Sequence, residues 1–288
     1  MASGSKQQPD YSSLKPKSAP SLDWKPTGPI DVTKPAKPHW KYGEGANDGE
    51  KSLLRKHVEI DPFAKNRSMF QNYTLLISGI APRPIGLLST VSKDGTANLA
   101  PFSYFQVVDH DPPVFVVGFS GRAARPKDTL KNLEETGECT INTVSEHMIE
   151  AVNASSLDAP YGISEWDVSG LHQAPSSTIK PARVQEAVFS VEGKVLKIVD
   201  YDTTRPSAGA HGRLAIIEAT RFWVQEDATD DARSQFDLEV LRPVGQLGGA
   251  SYARITDTFE LPRTNWIKAT ANDDPTLNGL KQGSAGKL

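Results

Sequence analysis

Three short stretches carry residue types and spacings that could do chemistry. The clearest runs from Arg122 to Asn132, with Arg125, Pro126, Lys127, Asp128 and Thr129 in succession. Pro126 suits the first position of a helix, where its missing N–H is not needed. Unsatisfied N–H groups at a helix start, the helix dipole, and the cations Arg122, Arg125 and Lys127 together make an anion site. Arg grips phosphate bidentately, Lys adds a point charge, and Thr129 offers a hydroxyl. The competing reading is a solvated basic turn in which Asp128 merely pairs with Arg125.

The second stretch is Asn98-Leu99-Ala100-Pro101-Phe102-Ser103-Tyr104-Phe105. Asn98, Pro101 and Ser103 are poor strand formers among apolar neighbours. Pro101 has no N–H for a ladder bond, so the chain is expected to leave regular pairing there and turn backbone groups toward a ligand. The third stretch, Ser89-Thr90, sets two hydroxyls at the end of the preceding strand. Apolar walls with a few aimed donors suit a flat heteroaromatic. The alternative is an ordinary irregular hairpin.

Other chemistry is missing. There is no phosphate-binding Gly-rich loop with P-loop spacing and no Gly-x-Ser-x-Gly elbow. Gly43-Glu44-Gly45 lies in a polar tail without a strand before it, so a dinucleotide-binding Rossmann unit is not expected. The six His residues show no His-Glu-x-x-His pattern, and no metal site is expected. Cys139, the single cysteine, sits in a strand-like run and reads as a small core residue. No catalytic side chain is assigned; His211 is either at a substrate mouth or a surface turn histidine.

The elements that must position these groups are mostly strands. Ile85–Val91 and Ala97–Phe105 read as a hairpin around Lys93-Asp94-Gly95, and Val114–Phe119 as a buried strand. Lys127–Glu135 has helical spacing that stops at Gly137, Cys139–Val144 is a strand, and Ser145 can cap a helix through Ala154. Val188–Val199 and Arg213–Gln225 are long strands with broken alternation, as in strands that curve round a barrel. The expected fold is therefore mainly β, a β-barrel with inserted helices.

This block fills roughly residues 55–266. Residues 1–54 form a Pro- and Lys-rich extension, either floppy or an arm across the domain or a partner subunit. Residues 267–288 are polar and expected to fray. With 32 Lys and Arg against 35 Asp and Glu, a dedicated nucleic-acid binder is disfavoured. No stretch approaches the roughly 20 apolar residues of a membrane span. One cysteine excludes an intramolecular disulfide framework, and a soluble cytoplasmic protein is the expectation. Gly286-Lys287-Leu288 is only loosely like a peroxisomal address.

The order Arg83-Pro84, Ser89-Thr90, Asp94-Gly95, Asn98 to Phe105, Asp111-Pro112-Pro113 and Lys127-Asp128-Thr129 with Asn132 is distinctive. In it, the run from Tyr73 to Asn132 resembles the flavin reductase-like family of the FMN-binding split barrel. Weaker similarity continues to about Pro262 and includes Arg242-Pro243 and the run from Gln246 to Tyr252. Gln246 stands where the family often has Arg, and the first fifty residues lie outside the resemblance.

The resemblance implies a homodimer that binds FMN non-covalently near its interface. Ser89 and Thr90 would line the flavin. Asn98, Ala100, Pro101, Phe102 and Ser103 would contact its ring and ribityl chain. Lys127 and Thr129 would hold the phosphate, with Arg125 as a helper on the reading of the residues themselves. The implied activity is an oxidoreductase that passes hydride from NADH or NADPH through FMN to free flavin or another small acceptor, a partner oxygenase being one destination. Two alternatives stay open: an FMN enzyme acting on a specific organic metabolite, with Trp166 and the extension shaping its pocket, and a non-enzymatic flavin-binding module.

Overall fold

The structure, a computed structural model, describes residues 22–121, 126–157, 159–160, 163–201, 212–271 and 274–284. They fall into two compact units, one of Leu22–Trp24 with Ser68–Ile255 and one of Lys25–Arg67 with the described residues from Thr256 on.

Helix α1, Met69–Gly79, opens the first unit. Its start is fixed locally: the Ser68 hydroxyl accepts the Gln71 N–H at 3.1 Å and the Gln71 side chain accepts the Ser68 N–H at 2.7 Å. Seven strands follow: β1 (Gly86–Val91), β2 (Ala97–Phe102), β3 (Phe105–His110), β4 (Pro113–Phe119), β5 (Glu138–Thr143), β6 (Phe189–Asp200) and β7 (Arg213–Val224). They pair antiparallel in the order β2-β1-β5-β6-β7-β4-β3. Helix α2 (Asp128–Thr136) joins β4 to β5, and α3 (Ile149–Ala154) and α4 (Glu165–Ser169) lie between β5 and β6.

The sheet is strongly curled. Phe102 in β2 and Phe119 in β4 are five strands apart, which in a flat sheet means roughly 24 Å at about 4.8 Å per strand. Their ring centroids are 5.0 Å apart. A Cβ on Gly86 of β1 would come within 2.9 Å of the Phe105 ring from β3, so only glycine lets that ring close over the strand. Register shifts in the β6–β7 ladder between Ile216 and Ile217 and between Ala219 and Arg221 supply the bends that the broken alternation foretold. The curl encloses a core of Leu88, Phe115, Val117, Leu133, Ile141 and Ile217. The outer face of β1 and β2 packs a second core against α3 and α4 through Leu87, Leu99, Val152 and Trp166.

The fold is a mixed one, a strongly curled sheet with helices set against it; among the described residues no ladder joins β2 to β3 to close it. The expected single strand Ala97–Phe105 is two strands broken at Ser103-Tyr104. Pro101 does not interrupt pairing: it sits opposite Leu87. Because β2 is an edge strand and Leu99 donates its N–H outward to Glu165 at 3.1 Å, the nitrogen two residues on also faces outward, where no ladder bond is lost. Ser145 does not cap a helix with its side chain; its hydroxyl donates to the Leu241 carbonyl at 2.5 Å.

The second unit pairs a segment before α1 with one after β7. Asp31–Thr33 pairs in parallel with Asp257–Phe259, and the Thr276 hydroxyl donates to the Tyr42 carbonyl at 3.1 Å. Trp40 donates its indole N–H to the Gly45 carbonyl at 2.8 Å. The stretch expected to fray from Lys268 instead carries helices Trp266–Ala271 and Pro275–Ser284. The second is capped by Asp274, which accepts the N–H groups of Thr276 and Leu277 at 3.0 and 3.1 Å.

Candidate active site

Strand periodicity sorts the candidate residues. On β1, Leu88 and Thr90 face the enclosed core and α2, while Leu87 and Ser89 face the second core. On β2, Asn98, Ala100 and Phe102 share the face of Thr90, while Leu99 and Pro101 share that of Ser89. Ser89 and Thr90 therefore point to opposite sides of the sheet, and one ligand cannot meet both side chains on one face.

Thr90, Asn98, Thr129 and Asn132 form one buried polar cluster. The Asn98 amide donates to Thr129 Oγ1 at 3.0 Å and Thr90 Oγ1 at 3.4 Å. Asn132 donates to the same Thr90 oxygen at 3.0 Å. These bonds tie the first turn of α2 to the β1–β2 hairpin. Ser89 Oγ and Asn132 Oδ1 are buried without a partner among the described residues.

Helix α2 starts one residue later than expected. Lys127 is its cap, extended at φ −63° and ψ 139°, so Pro126 lies before the cap rather than at the first helical position. The cap side chain makes no hydrogen bond to the first-turn N–H groups. Lys127 Nζ instead lies 5.6 Å from the centroid of the Phe102 ring. Gly137, at φ 71°, ends the helix in the left-handed conformation that the sequence anticipated.

An open cleft of about 90 Å³ runs along the outer edge of β2. Lys127 and Thr129 line it from the α2 start, Asn98, Ala100 and Pro101 from the edge strand, and Glu165 from α4. Glu165 is 7% exposed and had no signal in the sequence; only the packing of α4 on β2 brings it here. Arg122 and Arg125 lie outside the described residues, as does His211.

Two other candidates have structural work. Ser103 accepts the Arg83 Nε–H at 3.3 Å. The rest of that buried guanidinium closes the end of α1 through the Ile77 and Ile80 carbonyls, both at 2.5 Å, and reaches the Leu247 carbonyl at 2.9 Å. Gln246 donates to the Gly249 and Ser251 carbonyls at 3.3 and 3.4 Å, bracing its own loop. Trp166 is buried in the second core, not at a pocket mouth.

Residues 78–239, more than half the chain, match the profile of the flavin reductase like domain. The chain belongs to the flavin reductase-like, FMN-binding split-barrel family. A protein of Halalkalibacterium halodurans is 34% identical over 211 residues, covering 72% of this chain and 96% of that one. The structure of nitrilotriacetate monooxygenase component B from Bacillus cereus is similar at 30% identity and TM-score 0.66, covering 72% of this chain and all of that one (100%). That of 2-nitrobenzoate 2-nitroreductase from Pseudomonas fluorescens matches at 28% identity and TM-score 0.62, with 73% and 97% covered.

Within this flavin reductase-like domain a second buried polar cluster escaped sequence reasoning. Glu192, fully buried in β6, accepts the Ser177 and Thr178 N–H groups, both at 2.7 Å, the Thr178 hydroxyl at 2.5 Å and the Trp223 indole N–H at 2.6 Å. Burial alone would raise its pKa, but the Thr178 hydroxyl, the Ser177 N–H and the Trp223 indole outweigh it and hold it at about 2. Cys139 is fully buried in the core, and burial with the nearby Glu138 charge pushes its thiol up to about 12. Among the described residues no group of three or more His, Cys, Asp or Glu could hold a metal ion, and no helix is long and apolar enough to cross a membrane.

Proposed function

We propose that this protein is an FMN-dependent oxidoreductase that takes hydride from NADH or NADPH and reduces free flavin or another small acceptor. One observation carries the reading: the start of α2, with Lys127 and Thr129, opens on a cleft against the edge strand of a flavin reductase-like domain. The donor set fits a phosphate monoester. Lys127 supplies a charge, the first turn of α2 supplies N–H groups, and Thr129, which accepts from Asn98, keeps its own O–H to give. Arg125, two residues before Lys127, would add a bidentate grip.

When bound, FMN supplies the hydride and electron transfer chemistry. The protein holds the phosphate at Lys127 and Thr129 and presents Asn98, Ala100 and Pro101 along the edge. It fixes Asn98 through Thr90 and Thr129. Thr90 and Phe102 support that face from behind, Phe102 by seating the Lys127 ammonium. Ser89 faces the second core, and Ser103 accepts from Arg83 rather than from the ligand. Hydride transfer demands no side-chain acid. The cleft's volume of about 90 Å³ is well under the roughly 300–1,000 Å³ that surrounds a drug-sized ligand. A homodimer, whose second copy supplies further wall, fits that shortfall.

A second reading keeps FMN and changes the acceptor. The likeness to a 2-nitrobenzoate 2-nitroreductase supports direct reduction of an organic substrate, whereas the likeness to a monooxygenase component supports delivery of reduced flavin to a partner oxygenase. Steady-state oxidation of NADH and NADPH by the FMN-loaded chain separates them. Rapid turnover with free FMN or FAD is the expected result. Turnover only with an organic acceptor selects the second reading. Tight FMN with no nicotinamide oxidation leaves a flavin-binding module and ends both.

A further inference from the structure

The Pro- and Lys-rich stretch before the flavin reductase-like domain takes no part in the flavin chemistry, and its residues are those of a docking segment. Residues 25–42 hold Lys25, Lys34, Lys37 and Lys41 against one carboxylate, Asp31. Lys37 pairs with Glu44 at 2.6 Å. Pro26 and Pro29 are three apart, as are Pro35 and Pro38, the spacing that sets two rings on one face of a polyproline II helix. Proline has no N–H to extend a sheet, and such a face binds by laying its rings on exposed aromatic side chains. The segment also presents apolar groups to the outside: Val32 is 77% exposed and Trp40 45%.

The domain carries a surface of the matching kind. Tyr104, between β2 and β3, and Tyr201, after β6, both rest on Gly118 of β4. A Cβ there would lie 3.2 Å from Tyr104 Cβ and 3.7 Å from the Tyr201 hydroxyl. A Cβ on Gly212 would come within 2.9 Å of the Tyr201 ring. The two glycines let Tyr201 lie against the backbone of the sheet, and both tyrosines are 40% exposed. The edge strand β3, which follows Tyr104, exposes Val107 and Val108. Carboxylates border this ledge: Asp109 and Asp111 toward the end of β3, both exposed, and Asp200 beside Tyr201, paired with Arg213 at 2.6 Å. Residues 68–255 as a whole hold 16 Lys and Arg against 23 Asp and Glu.

We propose that residues 25–42 of one copy dock on the ledge of Tyr104 and Tyr201 in a second copy of this chain. Within a single chain the aromatic and apolar side chains of both surfaces are exposed, so what covers them comes from outside it. Charge runs the same way: Lys25, Lys34 and Lys41 approach a domain with an excess of carboxylates, which steers the two together. Residues 25–42 lie outside the 78–239 that match the family, so this contact is additional to any pairing of the domains themselves, and it is independent of the flavin reading.

Photocrosslinking of the full chain tests it. Val32→Cys offers one accessible thiol for a benzophenone maleimide, since Cys139 is fully buried. The expected product after irradiation has the mass of two chains, and its linked peptides join residue 32 of one copy to the region of Tyr104 or Tyr201 in the other. Tyr201→Ala, added to the labelled chain, lowers the yield of that product at least about threefold, as loss of a buried aromatic anchor does. Tyr201→Phe keeps the ring and keeps the yield. Links confined to single chains overturn the proposal, because the segment then lies on its own domain. A doubled product whose links map away from the ledge overturns it without any ledge variant having to fold. An unchanged yield in Tyr201→Ala overturns it too, as does a fully labelled chain that forms no link at all.

Discussion

Two buried polar clusters in the same domain obey opposite rules. Around Glu192, five donors converge on one carboxylate, and the residues that supply them, Ser177, Thr178 and Trp223, are held to the sheet by it. Around Thr90, Asn98, Thr129 and Asn132, side chains bond one another but leave Asn132 Oδ1 without a partner among the described residues, and the cluster borders an open cleft. A saturated cluster has no capacity left for a ligand and works for stability. An unsaturated one beside a cleft retains a desolvation cost that a ligand or water can relieve. By that criterion the acidic residue of greatest structural weight is the less suited to function.

The contrast can be broken experimentally. The largest effect is expected from Lys127→Ala with Thr129→Ala. Losing two charge-assisted phosphate bonds at about 1.5–3 kcal/mol each weakens FMN by at least about a hundredfold. A flavin titration with unchanged affinity would remove this cluster from the binding site. Glu192→Ala should do the reverse. It strands five donors and costs about 3–5 kcal/mol of unfolding free energy in a denaturant titration, while FMN affinity stays close to that of the parent.

Acid sharpens the same division. Glu192 has its pKa lowered from 4.5 to about 2, so its stabilising contribution is present above about pH 4.5 and lost as pH falls toward 2. That contribution is about 3 kcal/mol. Denaturant midpoints measured across this window should fall less steeply in Glu192→Gln than in the parent; identical slopes would mean that the carboxylate is not the group titrating. The smallest effect belongs to Phe102→Leu, which removes the ring beneath Lys127 Nζ. A loss of about 0.5–1 kcal/mol in FMN binding is expected, a few-fold in dissociation constant. Loss as large as that of the Lys127 and Thr129 pair would mean that Phe102 contacts the flavin directly.

Much of the scaffold was legible because its signals are local. Gly137 stops α2, short apolar runs mark β1 and β4, and the broken alternation of β6 and β7 announced their bends. Even the C-terminal helix carried a readable cap in Asp274-Pro275, passed over because the surrounding composition is polar. The candidate site was legible only in part. Asn98 to Ser103 form one continuous run in sequence, yet the period of two deals its side chains to opposite faces, so contiguity was the wrong guide. Ser103 answers to Arg83, twenty positions earlier, and Glu165 reaches Leu99 across 66.

The sequence by itself determined the family and many element boundaries, since motif order, caps and periodicity are properties of neighbours along the chain. Tertiary structure decided which edge of the sheet β2 occupies, and with it why Pro101 is harmless. It also decided that Ser89 and Thr90 face opposite sides of the sheet and that the buried Glu165 lines the same cleft as Lys127. Those facts depend on the curl of a seven-stranded sheet and on helices packed against it, and such packing is settled by burial between residues far apart in the chain.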